Sequence, residues 1–219
     1  MFLSSPFQML QRLFELAITL PFWISIMNSF IHITAGFMAG TILAVFAGIL
    51  SSRYNWIASL LAPLVLTIKT IPVVSFIILA IFWVSSSNLA FLISLLMVFP
   101  IIYTSIFNGI KETDSQLLEM AKLFRTSTYR KIRYIYIPQV FPFFYSGISI
   151  ALGLCWKSGV AAEVIGMPTN TIGEGLQQAK IYINTPDLFA WTFVIILISL
   201  LFEKLFCYFL KVLLHLLER

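Results

Sequence analysis

Residues 109–138 read GIKETDSQLLEMAKLFRTSTYRKIRYIYIP, the only extended hydrophilic segment in an otherwise almost continuously apolar chain of 219 residues. Thr113 and Asp114 are both capping residue types, and Gln116 stands three positions after Thr113 as in a capping box. Leu117, Leu118, Met120, Ala121 and Phe124 then recur on one face, which predicts a short amphipathic helix over 114–124 lying outside the bilayer. Lys122, Arg125, Arg130, Lys131 and Arg133 cluster beside hydrophobic spans, the pattern of a cytoplasmic loop.

Composition sets the class. With 60% apolar residues, 16% aromatics, 11% charged residues and a mean hydropathy of +0.96, the chain cannot bury its apolar groups in a soluble globule. An all-α polytopic membrane protein is expected, surrounded by lipid. The net charge of +5 is accounted for by positive-inside topology, without nucleic acid. Cys155 and Cys207 both lie within hydrophobic runs and are read as small buried side chains with no assigned role.

Residues 1–21 lack the basic start and small-residue cleavage site of a removable leader. Ser5, Pro6 and Gln8 form a helix start, followed by a polar side (Gln8, Gln11, Arg12, Glu15, Thr19) and an apolar side (Phe7, Leu10, Leu13, Phe14, Ala17). This predicts an outer interfacial helix ended by Pro21, ahead of a transmembrane domain over 22–219. A first span over 24–50 carries Gly36, Gly40 and Ala44 four apart, a narrow face that lets another helix approach. The hydrophobic segment over 56–84 is too long for one crossing and is read as a helix broken by Pro63 and Pro72. Lys69, just before the second break, leaves two readings: an ammonium that snorkels to the interface, or one that lines a translocation path. Spans over 89–107, 138–156 and 188–214 complete five crossings. Lys157 and Glu163, six residues apart, do not fall on one face of a regular helix and can pair only if the helix stops between them, for which Gly159 is the candidate. Residues 161–187, punctuated by glycine and proline, are expected to fold on the outer face with a short amphipathic piece near 176–183.

Ten of the fourteen basic residues fall on one side of this topology, at Arg53, Lys111, the loop cluster above, Lys204, Lys211 and Arg219. Arg12 and Lys180 fall on the other, which places the N-terminus outside and the C-terminus in the cytoplasm. The chain has no G-x4-G-K-[ST] loop, no H-E-x-x-H, no G-x-S-x-G and no Cys/His cluster, so no catalytic or metal site is expected. The residues by themselves leave an energised transporter subunit, an ATP-independent channel or secondary carrier, and an intramembrane enzyme, in that order.

The loop also carries a resemblance. Membrane subunits of bacterial ATP-binding-cassette (ABC) importers share the cytoplasmic pattern E-A-A-x3-G-x9-I-x-L-P, onto which Glu119, Met120, Ala121, Arg125, Ile135, Ile137 and Pro138 fall at the right spacing. Met120, Arg125 and Ile137 depart from it in residue type. Flanking text, from SSPFQML through KTIPVVSF, WKSGVAAEVIG and TIGEGLQQAK to TPDLFAW, resembles the nitrate/sulfonate/taurine branch of these permeases over nearly the whole chain.

The resemblance implies the type I importer fold, in the bacterial inner membrane; such permeases usually carry one more transmembrane helix ahead of the first span read here, so a five-helix core rather than six is expected. It implies that the 114–124 helix enters a groove on a cytoplasmic ATPase through Leu117, Glu119, Met120, Ala121, Phe124 and Arg125. Two ATPase subunits would hold ATP and Mg, this chain binding neither, and an extracytoplasmic solute-binding protein would dock outside. Five helices are few to enclose a path, and the glycine face suggests close packing against a neighbour, so two copies, or one copy with a close homologue, are expected around it. Lys69 and Pro72, then Lys157 and Glu163, are the candidates for the path of a small oxyanion or vitamin precursor.

Overall fold

The computed structural model describes residues 5–218, with side chains as far as Val212. Arg219, counted above among the inner charges, lies outside the described residues, as do the first four residues of the 1–21 segment. The elements are α1 (Pro6–Ala17), α2 (Leu20–Arg53), α3 (Asn55–Thr70), α4 (Val73–Ile81), α5 (Ser86–Lys111), α6 (Ser115–Leu123), α7 (Thr128–Lys131), a π-helical turn (Ile132–Tyr136), α8 (Ile137–Gly166), α9 (Ile172–Ile181) and α10 (Thr185–Glu218). Four helices among the described residues are long and apolar enough to cross a membrane, and a fifth crossing arises if α3 and α4, bent by 101° at Ile71–Pro72, count as one broken span.

The centre of the bundle is α5, packed along α2 on one side and α8 on the other. Gly36 and Gly40 make the first contact possible. A Cβ at Gly36 would stand 2.4 Å from the Phe91 carbonyl oxygen, and one at Gly40 2.9 Å from that of Leu95. The glycine face is therefore filled by α5 of the same chain, with Ala44 fully buried beside it, and is not free for a second copy. Ile33, Phe37, Val98, Ile102, Ile148 and Leu152 fill the seam of the three helices. Small residues set how near the helices come, and the branched side chains between them supply the packing.

Several boundaries differ from those read in the sequence. α1 begins as expected, with the Ser5 hydroxyl accepting from the Phe7 N–H and the Gln8 side chain accepting from the Ser5 N–H. It stops at Ala17, before Pro21, which sits in the first turn of α2, where a missing N–H leaves no bond unmade. Pro63 does not break α3. α8 runs unbroken through Gly159 to Gly166, ten residues past the expected end. Gly159 is a packing glycine: a Cβ there would lie 2.7 Å from Ile33 and 2.8 Å from the Ser94 hydroxyl. Ahead of Pro138 the backbone forms the unanticipated π turn, the Ile137 N–H reaching the Ile132 carbonyl five residues back.

Candidate translocation and coupling sites

At the coupling loop, Asp114 is the N-cap of α6, its carboxylate accepting from the Gln116 N–H at 2.8 Å. Thr113 does not cap. It is buried, and its hydroxyl donates back to the Gly109 carbonyl at 3.1 Å, ending α5. The Asp114 N–H donates to Gln139 Oε1 at 2.8 Å, which ties the start of α6 to the start of α8. At its other end Thr126 N–H returns to the Ala121 carbonyl and Arg125 N–H to that of Lys122, a Schellman closure. Arg125, in the position where the importer pattern has glycine, adopts φ 49 to make it. The turn is thus built with the residue type that enters the left-handed region at a cost.

The α6 helix has no extensive packing partner among the described helices. Leu117 and Leu118 are half-buried and Ala121 is buried, but Met120, Leu123 and Phe124 project, the last two 82% and 77% exposed. Glu119 is exposed. An amphipathic helix whose apolar tip is left unsatisfied by its own chain is an incomplete packing unit.

At the α3–α4 bend, Lys69 is exposed and its ammonium donates to the Thr104 hydroxyl of α5 at 2.8 Å. Pro72 is the N-cap of α4, where its lack of an N–H fits the change of direction. Trp56, Leu60, Leu66 and Ile78 stand exposed along the same two helices, and Phe82 and Trp83 stand exposed just past the end of α4. Lys157 and Glu163 are not brought together: with α8 continuous between them, Lys157 is exposed and Glu163 is 1% exposed.

Glu163 instead belongs to a network that sequence reasoning missed. Its Oε2 accepts from the Ser29 hydroxyl of α2 at 2.7 Å and from the Gly173 N–H of α9 at 3.1 Å, while Ser29 Oγ accepts from the Ile172 N–H at 2.9 Å. Asn28, beside Ser29, donates to the Asn170 carbonyl at 3.0 Å. These bonds pin the 167–171 loop and the start of α9 to α2 and α8. Gly173 is required there, since a Cβ would stand 2.2 Å from that of Glu163. The available signal was the polar trio Asn28, Ser29 and His32 inside an apolar span. On the far side of α9, Arg12 bonds both Asp187 and Glu15, so α1 is fastened to the start of α10, and the guanidinium is held above its ordinary pKa chiefly by the Asp187 hydrogen bond.

This arrangement, a membrane bundle with a free amphipathic helix on one side and a pinned loop on the other, meets its counterpart in known proteins. A family profile, the binding-protein-dependent transport system inner membrane component, matches residues 36–218. The chain belongs to that family. Among its relatives, the putative aliphatic sulfonates transport permease protein of Bacillus subtilis (strain 168) is 29% identical over 157 residues, 71% of this chain and 56% of the relative. A probable ABC transporter permease protein of Brucella melitensis biotype 1 is 27% identical over 205 residues, 93% of this chain and 82% of the relative. The taurine transport system permease protein of Escherichia coli (strain K12) is 23% identical over 209 residues, 93% of this chain and 76% of the relative. The match therefore covers just over half of the Bacillus protein and most of the other two.

Membership places the permease in the nitrate/sulfonate/taurine branch and decides against a channel, a secondary carrier or an intramembrane enzyme. It is a transport component of the bacterial inner membrane, and ATP hydrolysis falls to partner subunits.

Proposed function

We propose that this permease forms one half of the path of an ABC importer and receives the power stroke through α6. The observation that carries this reading is the exposed apolar tip of a helix that is tethered at both ends, by Gln139 at its start and by the Schellman turn at its end. Met120, Phe124 and Arg125, with the part of Leu117 left open, form the docking face for an ATPase groove, whereas Ala121, expected there from the sequence, is buried against its own chain and is not open to it. Glu119, exposed and with no hydrogen-bond or ion-pair partner among the described residues, meets a donor in that groove and is desolvated there. Two ATPase subunits, supplying ATP and Mg, dock beneath a pair of permeases, a homodimer or a close heterodimer. A solute-binding protein delivers from the other side, which places the N-terminus outside and the C-terminus in the cytoplasm.

Along the path, Lys69 at the Pro72 bend lowers the barrier for a small oxyanion, and Lys157 extends that positive lining. Glu163, being enclosed by Ser29 and Gly173, does not oppose it. The relatives named for aliphatic sulfonates and taurine support a small oxyanion, such as an organic sulfonate, as the cargo class.

The test is co-purification with the partner ATPase in lipid. Phe124→Asp and Glu119→Lys, both at exposed positions, should each reduce assembly or uncouple hydrolysis from uptake while the permease itself keeps its melting temperature. Normal coupling in both variants would mean that α6 is only a solvated surface helix.

A further inference from the structure

A cleft of about 710 Å³ opens between α2, α5 and the start of α8, on the side of the coupling loop, and no described part of the chain fills it. Its lining is graded. On α2, Val45 and Ile49 give way to Ser52 and Arg53 over roughly 12 Å of helix. Antiparallel to it, Phe144 and Val140 on α8 give way to Tyr136 and, through the π turn, to Thr128. Both polar ends line the same cleft, with Arg53 and Thr128 exposed and Ile106 buried, so the cleft is apolar inside and carries hydroxyl groups and one guanidinium at its exposed end. No carboxylate among the described side chains lines it. Arg130, Lys131 and Arg133 follow Thr128 along the same helical run, which adds to the positive charge at that end. The Arg53 side chain is exposed and lies 5.7 Å over the Tyr54 ring.

A single molecule with a hydrocarbon tail and an anionic head satisfies both ends of this gradient at once. We infer that the cleft between α2, α5 and α8 is a binding site for an anionic phospholipid, with one acyl chain along Val45, Ile106 and Val140 and the phosphate at Arg53. A zwitterionic lipid offers the same tail but a head without net charge, so the site selects on the guanidinium. A protein segment would have to bring its own anionic group to the mouth, whereas the lipid is already the surrounding medium. The π turn has a part in this. By shifting the register ahead of Pro138 it turns Ile132 and Tyr136 toward the same cleft.

Photolabelling tests it on the full chain reconstituted in nanodiscs, using phosphatidylglycerol or phosphatidylcholine with a diazirine in the acyl tail and mapping adducts by mass spectrometry. Phosphatidylglycerol should label residues 45–53 and 136–144 several-fold more than the lipid-facing part of α10 around 196–201. Arg53→Gln should reduce the preference for phosphatidylglycerol by roughly fivefold, the equivalent of one interfacial cation, and leave phosphatidylcholine labelling unchanged. Val140→Trp, which fills the cleft, should suppress both labels. Even labelling around the bundle, or equal labelling by the two lipids in the unaltered chain, overturns the site. So does efficient cross-linking of Val140→Cys between two permease copies, which would make the occupant a protein. Because the readout is lipid labelling, the result stands or falls independently of ATPase coupling.

Discussion

Arg125 holds φ 49 at the end of α6 and Ile183 holds φ 53 at the end of α9, each closing a Schellman turn with a side chain that disfavours that region. Hydrogen bonds compel the conformation: Thr126 N–H to Ala121 and Asn184 N–H to Ala179 can form only if the intervening residue turns left-handed. Arg125→Gly should therefore stabilise the α6 closure by about 1 kcal/mol, read as roughly fivefold slower amide exchange over residues 118–126. Faster exchange there would mean that the arginine side chain contributes more than its backbone costs. At Glu163 the balance is reversed, because removing the carboxylate orphans a buried N–H at Gly173 and the Ser29 hydroxyl. Glu163→Ala should lower stability by about 1–3 kcal/mol and speed exchange in residues 167–175, with Glu163→Gln milder because one oxygen acceptor survives. Equal effects of the two would show that the Gly173 bond contributes little.

Among elements, the broken pair α3–α4 joins a structural feature to a charge. Proline at the N-cap of α4 sets the 101° bend, and the bend leaves Lys69 bonded to Thr104 rather than buried. Lys69→Met keeps the length of the side chain and removes the cation. Uptake by the assembled importer should fall by about tenfold, equivalent to about 1.4 kcal/mol on the barrier, with assembly unchanged. Unchanged uptake would identify Lys69 as a snorkelling side chain with no part in the path. The α2–α5 seam behaves differently, since its glycines are closed against backbone carbonyls and leave no room to adjust.

For the whole molecule, the described chain buries α5 thoroughly and α10 hardly at all, and leaves aromatic side chains standing along α3 and α4. Such surfaces meet lipid or another subunit. The glycine face that first pointed to a second copy is occupied within the chain, so the dimer proposal now rests on the small number of crossings and on the exposed α3–α4 surface. Native mass measurement of the transporting complex should give two permease subunits, and a monomer that transports would remove the dimer. Cysteines placed at Leu60 or Ile78 should then cross-link between copies more readily than cysteines at Leu200.

The sequence alone determined that the chain is a helical membrane protein, where most crossings lie, and that a cationic loop carries a short amphipathic helix. Those properties depend on hydropathy, periodicity and charge, which are sums over neighbours in the chain. It also located Lys69 at a break, because proline acts on its own backbone. Tertiary structure alone decided what the small residues do. Gly159 reads as a helix stop in one dimension and proves to be a contact point between α8, α2 and α5, because a glycine inside an apolar span is specified by what approaches it. Likewise Ser29, Glu163 and Gly173, separated by more than a hundred residues at the widest, become one hydrogen-bonded unit only when three helices converge. In an apolar medium each of those polar groups needs a partner, and only the packed bundle supplies it.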